Sequence, residues 1–296
     1  YAAALKQSTP SSKRGHAPGS VAALVDEYLR SPDFQRKAPT TQAEYRRVIE
    51  KFAVEHGARR VADLQRRHIL KMRDQLAERP GAANTLVRTL SVLMSFAVER
   101  EYRTENPAKG VKQFATGKHE AWQPDEIRAF RERWPIGSMQ RRAFSLALFT
   151  LQRRGDLCAM TVADIEGDAI RVRQNKTGKP LWIALHAQLK KELEEDPPRH
   201  DHLLVSARGR PFSPGYFGAW FAEAIDAAAL PERCVLHGLR DTGAVLLAHA
   251  GVTHAQLKAV GGWTSDRMVG HYLAEASQRR LAAAAIDAWE GTNREG

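Results

Sequence analysis

Cysteine is nearly missing from this chain. Its 296 residues hold two, Cys158 and Cys234. Two thiols cannot build a disulfide framework or a four-thiolate zinc site, and their scarcity suits a reducing cytosol. No continuous apolar run approaches the ~18–20 residues of a membrane span, and the opening YAAALKQSTPSSKRG lacks the apolar centre of a signal peptide. The first residue is Tyr1 rather than Met, which is compatible with further sequence upstream. There is no GxxxxGK phosphate loop, no HExxH and no paired CxxC, so the commonest nucleotide and zinc signatures are missing. The histidines are scattered, and His249 with His254 is too loose a pair to suggest a metal. No repeat of fixed period and no low-complexity block interrupts the sequence.

Acidic residues are outnumbered. Lys and Arg total 45 against 34 Asp and Glu, a net charge of +11. The excess is uneven: residues 1–116 carry 21 basic and 12 acidic side chains, leaving 24 and 22 for the rest. A first half at +9 points to a polyanion, most simply nucleic acid, over a merely solvated cationic surface. Hydrophobic residues make up 43%, enough for real cores, and the length suits two domains at ~100–200 residues each.

Residues 1–19, rich in Ser, Pro, Gly and basic side chains, read as a tail. Ser20 then stands as an N-cap before Val21, Leu24, Val25 and Tyr28 on one helical face. TTQAEYRRVIEKFAVEHG, RRVADLQRRHILKMRDQLAE and ANTLVRTLSVLMSFAVEREY repeat that amphipathic pattern, predicting a four-helix bundle with basic outward faces. Asn106-Pro107 ends it, and QFATGKHEA reads as a linker. Beyond Trp122, PDEIRAFRERW and QRRAFSLALFTL read as helices. Ala169 to Leu185 gives the β signal: IRVRQ, a turn at Thr177-Gly178-Lys179, then alternating Leu181, Ile183 and Leu185. Helices resume at SPGYFGAWFAEAIDAAA, DTGAVLLAHAG, THAQLKAVGG and AEASQRRLAAAAIDAWEG. The fold class is mainly α with a small antiparallel hairpin sheet in the second half.

Three separated fragments carry the chemistry: TLQRRGDL at 150–157, HGLRDTG at 237–243 and GGWTSDRMVGHY at 261–272, with a lysine in QNKTGKP. In order they supply Arg153, Lys176, His237, Arg240, Trp263 and Tyr272, with Asp156 three residues after the first Arg and Tyr272 nine residues after Trp263. Singly each has an ordinary reading: a surface Arg pair, a turn lysine, a capping histidine, core aromatics. As an ordered set they resemble the tyrosine recombinase, or phage integrase, family, and the resemblance covers about 250 residues because the basic four-helix segment also looks like that family's core-binding domain. Three positions depart from that family: Leu151 where Gly is frequent, Trp263 where His is more usual, and Asp241 where a basic or polar residue is common.

The resemblance implies a helical core-binding domain at 20–112, a linker at 113–121, an α+β catalytic domain at 122–273, and a C-terminal helix or tail at 274–296. It implies double-stranded DNA as substrate, cut and rejoined through a 3′-phosphotyrosine bond. It also implies a homotetramer on DNA formed from free monomers, with accessory bending or directionality proteins. A Tyr hydroxyl attacking a phosphodiester must lose a proton with a pKa near 10, about 4 kcal/mol uphill at pH 7. Two guanidiniums can hold the non-bridging oxygens, and the covalent phosphoester conserves bond energy, so neither metal, ATP nor other cofactor is expected. By chemistry and resemblance, Arg153 and Arg240 clamp the phosphate and His237 is a hydrogen-bond partner and proton acceptor. Lys176 is the acid for the 5′ oxygen, Trp263 a packing donor, Tyr272 the nucleophile and Asp156 a supporting residue. Arg46, Arg47 and Lys51 are the candidate DNA-binding cations of the first half.

An integrase of a mobile element or prophage is the main reading. A chromosome-dimer resolvase of the same family and a non-catalytic DNA-binding relative are the alternatives. Leu281, Ala285, Ile286 and Trp289 share a helical face. That face is expected to dock in trans within the tetramer, with packing onto its own domain as the alternative.

Overall fold

The computed structural model describes residues 16–117 and 119–292; within the last helix, side chains are described only at some positions. The chain divides into two compact units, Tyr1–Gly117 and Lys118–Gly296.

The first unit is helical: α1 (Val21–Arg30), the single turn α2 (Pro32–Gln35), α3 (Pro39–His56), α4 (Arg66–Asp74) and α5 (Pro80–Glu99). The Ser20 hydroxyl accepts from the Ala23 amide at 3.2 Å, so the cap read from sequence is made. Leu24, Ile49, Phe52, Ile69, Leu90 and Leu93 meet in one core. By length and composition α5 could cross a membrane, but Val87, Leu90, Leu93, Met94 and Ala97 are spent on that core. The long helix expected across RRVADLQRRHIL is instead broken. Val61–Asp63 forms a 3₁₀ turn, and Arg103 draws the Val61 and Leu64 carbonyls to its guanidinium at 3.0 and 2.7 Å. The Val61 carbonyl also accepts from the Leu64 amide at 3.2 Å, an i to i+3 bond in place of the i to i+4 bond of an α-helix.

The second unit follows: α6 (Pro124–Arg133), α7 (Met139–Thr150), α8 (Arg154–Ala159), β1 (Ile165–Glu166), β2 (Ala169–Arg173), β3 (Pro180–Ala184), α9 (Ala187–Glu195), α10 (Pro214–Ala227), α11 (Leu236–His249), α12 (His254–Gly261) and α13 (Asp266–Thr292). The sheet runs β1-β2-β3, antiparallel throughout. Ile170 faces Ile183 and Val172 faces Leu181, burying one side, while Arg171 and Trp182 pair on the outer side. Phe130, Phe144, Phe217 and Phe221 fill the centre of this unit. A second, smaller cluster joins Leu151, Ala244, Ala248, Leu257, Trp263, Val269 and Leu273, and it seats α13 against α11. The architecture is thus mainly α with a small antiparallel sheet, as the sequence pattern predicts.

Candidate active site

Arg153 occupies the N-cap position of α8. One terminal nitrogen, Nη1, is buried without a hydrogen-bond partner among the described residues. Asp156 lies one turn on and is buried. Its Oδ1 accepts from the Asn175 amide at 2.7 Å, and the Asn175 side chain donates to the Gly155 carbonyl at 3.1 Å. The start of α8 therefore grips the turn between β2 and β3. Lys176 sits on that turn, exposed, with no ion pair among the described residues. Gly178 closes it at φ +67°, a conformation open to glycine at little cost.

Two buried amides that the sequence reading passed over bind this region together. Gln174 donates to Gln152 at 2.8 Å and to the Gly261 carbonyl at 3.1 Å, while Gln152 donates to the Thr150 and Val260 carbonyls at 2.7 and 3.0 Å. Their signal was positional: each flanks a singled-out segment, Gln152 beside Arg153 and Gln174 two before Lys176. The close approach requires Gly262, whose φ is +71° and whose hypothetical Cβ would lie 2.4 Å from the Gln174 amide nitrogen.

Arg240 is 3% exposed in α11. Its Nη2 donates to the Gly261 carbonyl at 3.0 Å, its Nη1 donates to the Leu151 carbonyl, and its guanidinium lies 4.3 Å from the Trp263 ring centroid. These bonds use two of the five N–H donors of the group. Burial, then the nearby charge of Arg153, pull its pKa down to about 10, so it remains charged at neutral pH. Trp263 is fixed from below: a Cβ on Gly261 would fall 1.9 Å from its ring.

His237 is the second residue of α11, with its ring tilted against His119 at 4.7 Å. Lost hydration lowers its pKa below the usual imidazole value. His119, Arg240 and Arg153 push the same way, and Asp241 opposes them. The helix begins at Leu236, ahead of the DTGAVLLAHAG stretch, so His237 and Arg240 do share a helical face.

Tyr272 is half-buried on α13, between Val269 and Leu273 of the small cluster, and its ring lies 5.9 Å from that of Trp263. Its hydroxyl donates to Asp241 Oδ1. Burial and that carboxylate raise its pKa well above the ordinary phenol value, while Arg240 opposes them. The phenolic hydrogen is directed to Asp241, not to His237. Sequence reasoning noted Asp241 only as a departure, because its partner lies 31 residues away.

Arg46, Arg47 and Lys51 stand exposed on α3 of the first unit. Arg46 lies over Phe34 at 5.3 Å and pairs with Glu50 at 3.3 Å; Lys51 is 3.9 Å from Glu55. Such exposed pairs hold little energy, so these cations can exchange partners. Other basic residues of the unit are structural. Arg66 binds the Lys109 and Gly110 carbonyls, and Arg73 binds the Lys112 carbonyl and lies over Phe114. Among the described residues of the chain, no three His, Cys, Asp or Glu side chains are grouped to hold a metal ion.

A family model described as the phage integrase family matches residues 121–279, more than half of the chain, including Arg153, Lys176, His237, Arg240, Trp263 and Tyr272. The chain belongs to the phage integrase family. This integrase-family chain is thereby a tyrosine-type site-specific recombinase. The integrase of Escherichia phage HK022 is 25% identical over 268 residues, covering 84% of this chain and 72% of that protein. A lambda integrase(75-356) dimer bound to a COC′ core site has the same fold, with TM-score 0.74 and 22% identity over 85% of this chain and 94% of the other. The Tn1549 transposon integrase in complex with circular intermediate DNA gives 0.72 at 15% identity, over 88% and 99%.

Proposed function

We propose that this integrase-family enzyme cuts and rejoins duplex DNA at specific sites through a phosphoester between Tyr272 and the 3′ phosphate, with no metal or ATP in the step. The observation that carries the reading is the pairing of two guanidiniums, Arg153 and Arg240, in one pocket. Arg153 holds a buried, unpartnered Nη1 and sits close enough to Arg240 to depress its pKa. Of the nearby carboxylates, Asp156 accepts from the Asn175 amide through Oδ1 and Asp241 accepts from the Tyr272 hydroxyl. Like charges held together in a partly dry site favour a ligand of opposite charge. A phosphodiester fits, since each Arg presents paired N–H donors to its non-bridging oxygens.

In this assignment Arg240, pinned by two carbonyls and the Trp263 ring, is set before substrate arrives. Positioned arginines contribute roughly 10³–10⁵ in rate in other phosphoryl transfers. Lys176, on a turn held by Asp156 and Gln174, donates the proton to the departing 5′ oxygen. Asp156 acts through that turn rather than on substrate. Tyr272 lies beside Arg240 of its own chain, which supports attack in cis.

The first unit, at 20–112, is proposed as the core-binding clamp, with Arg46, Arg47 and Lys51 on phosphates. A homotetramer on DNA is the proposed working assembly; a lambda integrase tetramer bound to a Holliday junction shares the fold at TM-score 0.73. Incubation with a nicked duplex carrying the target site, then a denaturing gel in excess EDTA, tests the reading. Wild type should form a covalent protein–DNA adduct, and Tyr272→Phe should form none while binding the duplex with near-normal affinity. An adduct in the Phe variant, or a strict metal requirement, overturns it.

A further inference from the structure

The carboxylate at the nucleophile needs an explanation that the phosphate clamp does not provide. Asp241 follows Arg240 directly, and a negative group beside an incoming phosphodiester opposes binding. The structure nevertheless places it half-buried, at hydrogen-bond distance from the hydroxyl of Tyr272. The contact is built by packing. Val269 and Leu273 flank Tyr272 on α13, and Ala244 and Ala248 receive them on α11, fixing the two helices face to face. Asp241 and Tyr272 meet across that seam. His237, the other base nearby, is turned toward His119.

We propose that Asp241 is a catalytic residue, the acceptor of the Tyr272 proton during cleavage. The proposal rests on Tyr272 being the nucleophile. As the Oη–P bond forms and the P–O5′ bond breaks, the phenolic proton passes to Asp241 Oδ1. The 5′ oxygen takes a separate proton from the donor on its own side, and Asp241 and that donor then exchange protons with water. A carboxylate is a weak base toward free phenol. The phenol becomes strongly acidic only as phosphorus bonds to it, however, so transfer within the transition state is favourable. An Asp accepts a hydroxyl proton in the same way in protein kinases. The surroundings suit a carboxylate that must stay charged: Arg240 precedes it on α11, and Arg153 acts on the same pocket from the start of α8.

The experiment compares wild type, Asp241→Asn and Asp241→Glu in single-turnover cleavage of nicked duplex. A second duplex carries sulfur in place of the scissile 5′ bridging oxygen, because a thiolate leaves without needing a proton. Loss of a general base should slow Asp241→Asn by about 10²–10⁴-fold. The deficit should persist on the sulfur substrate, DNA affinity should be retained, and Asp241→Glu should recover part of the rate. Asn removes the charge with almost no change of shape, and retained duplex affinity shows that the variant is folded. If the Asn variant loses affinity through misfolding, a Glu variant that folds and cleaves as slowly as Asn overturns the proposal, and one that recovers rate supports it. A rate within threefold of wild type, or a faster one, makes Asp241 a bystander or a latch. A deficit that vanishes on the sulfur substrate places the group on the leaving side. The Tyr272→Phe lane separates the layers: an adduct there removes the nucleophile assignment itself, whereas an unimpaired Asp241→Asn beside an empty Phe lane removes only the role of Asp241.

Discussion

Leu151 shows how one residue can be strained and retained. It ends α7 in the left-handed region, φ 55° and ψ 30°, where a residue with a Cβ loses ~1–2 kcal/mol. A glycine there would avoid that strain. Here the side chain is buried against Ala244, Leu257 and Trp263, and Gly243 leaves room for it: a Cβ on Gly243 would come 2.8 Å from Leu151 Cδ1. Removing a buried Leu side chain loses about 2–5 kcal/mol, which exceeds the relief. Leu151→Gly is therefore expected to destabilise the protein by ~1–3 kcal/mol in urea unfolding. A more stable Gly variant would mean that the small cluster holds less energy than its burial implies.

At the level of elements, α3 is where the electrostatic reading can be separated from the catalytic one. Replacing Arg46, Arg47 and Lys51 by Gln should weaken duplex binding at low salt. The slope of log affinity against log salt should flatten by up to ~3 if each cation contacts one phosphate. An unchanged slope places the phosphate contacts on other residues. Elements also show what the sequence could reveal. The amphipathic faces of α1, α3 and α5 and the alternation in β2 and β3 were legible because each repeats over several residues. The elements α2, α8, β1 and α9 were missed. The first three span at most six residues, too short for a period. In α9 the apolar stripe is interrupted by Glu192, buried because Arg141 pairs with it at 2.8 Å. The ordered set Arg153 to Tyr272 was legible through its resemblance to the family's pattern. The amide pair Gln152–Gln174 and the Asp241 contact were not, because they exist only between segments far apart in the chain.

For the whole molecule, the open question is how one copy senses another. Ala285 and Ile286 lie exposed on α13, and Trp289 is 66% exposed; the Leu281 side chain lies outside the described residues. Deleting residues 278–296 should leave single-site DNA binding intact while lowering cooperative assembly, read by native gel shift and by recombination rate. Tetramers and normal recombination from the shortened protein would remove the trans-docking idea. The helix that carries this face is also the one that carries Tyr272, the proposed nucleophile, unbroken from Asp266 to Thr292. At 1.5 Å per residue, ~30 Å of rod extends past Tyr272. Such a rod works as a lever arm: pivoting it by ~5° about its far end swings the hydroxyl through ~2.5 Å, nearly the length of a hydrogen bond. A grip on the tip of α13 is thus mechanically a grip on the reacting oxygen.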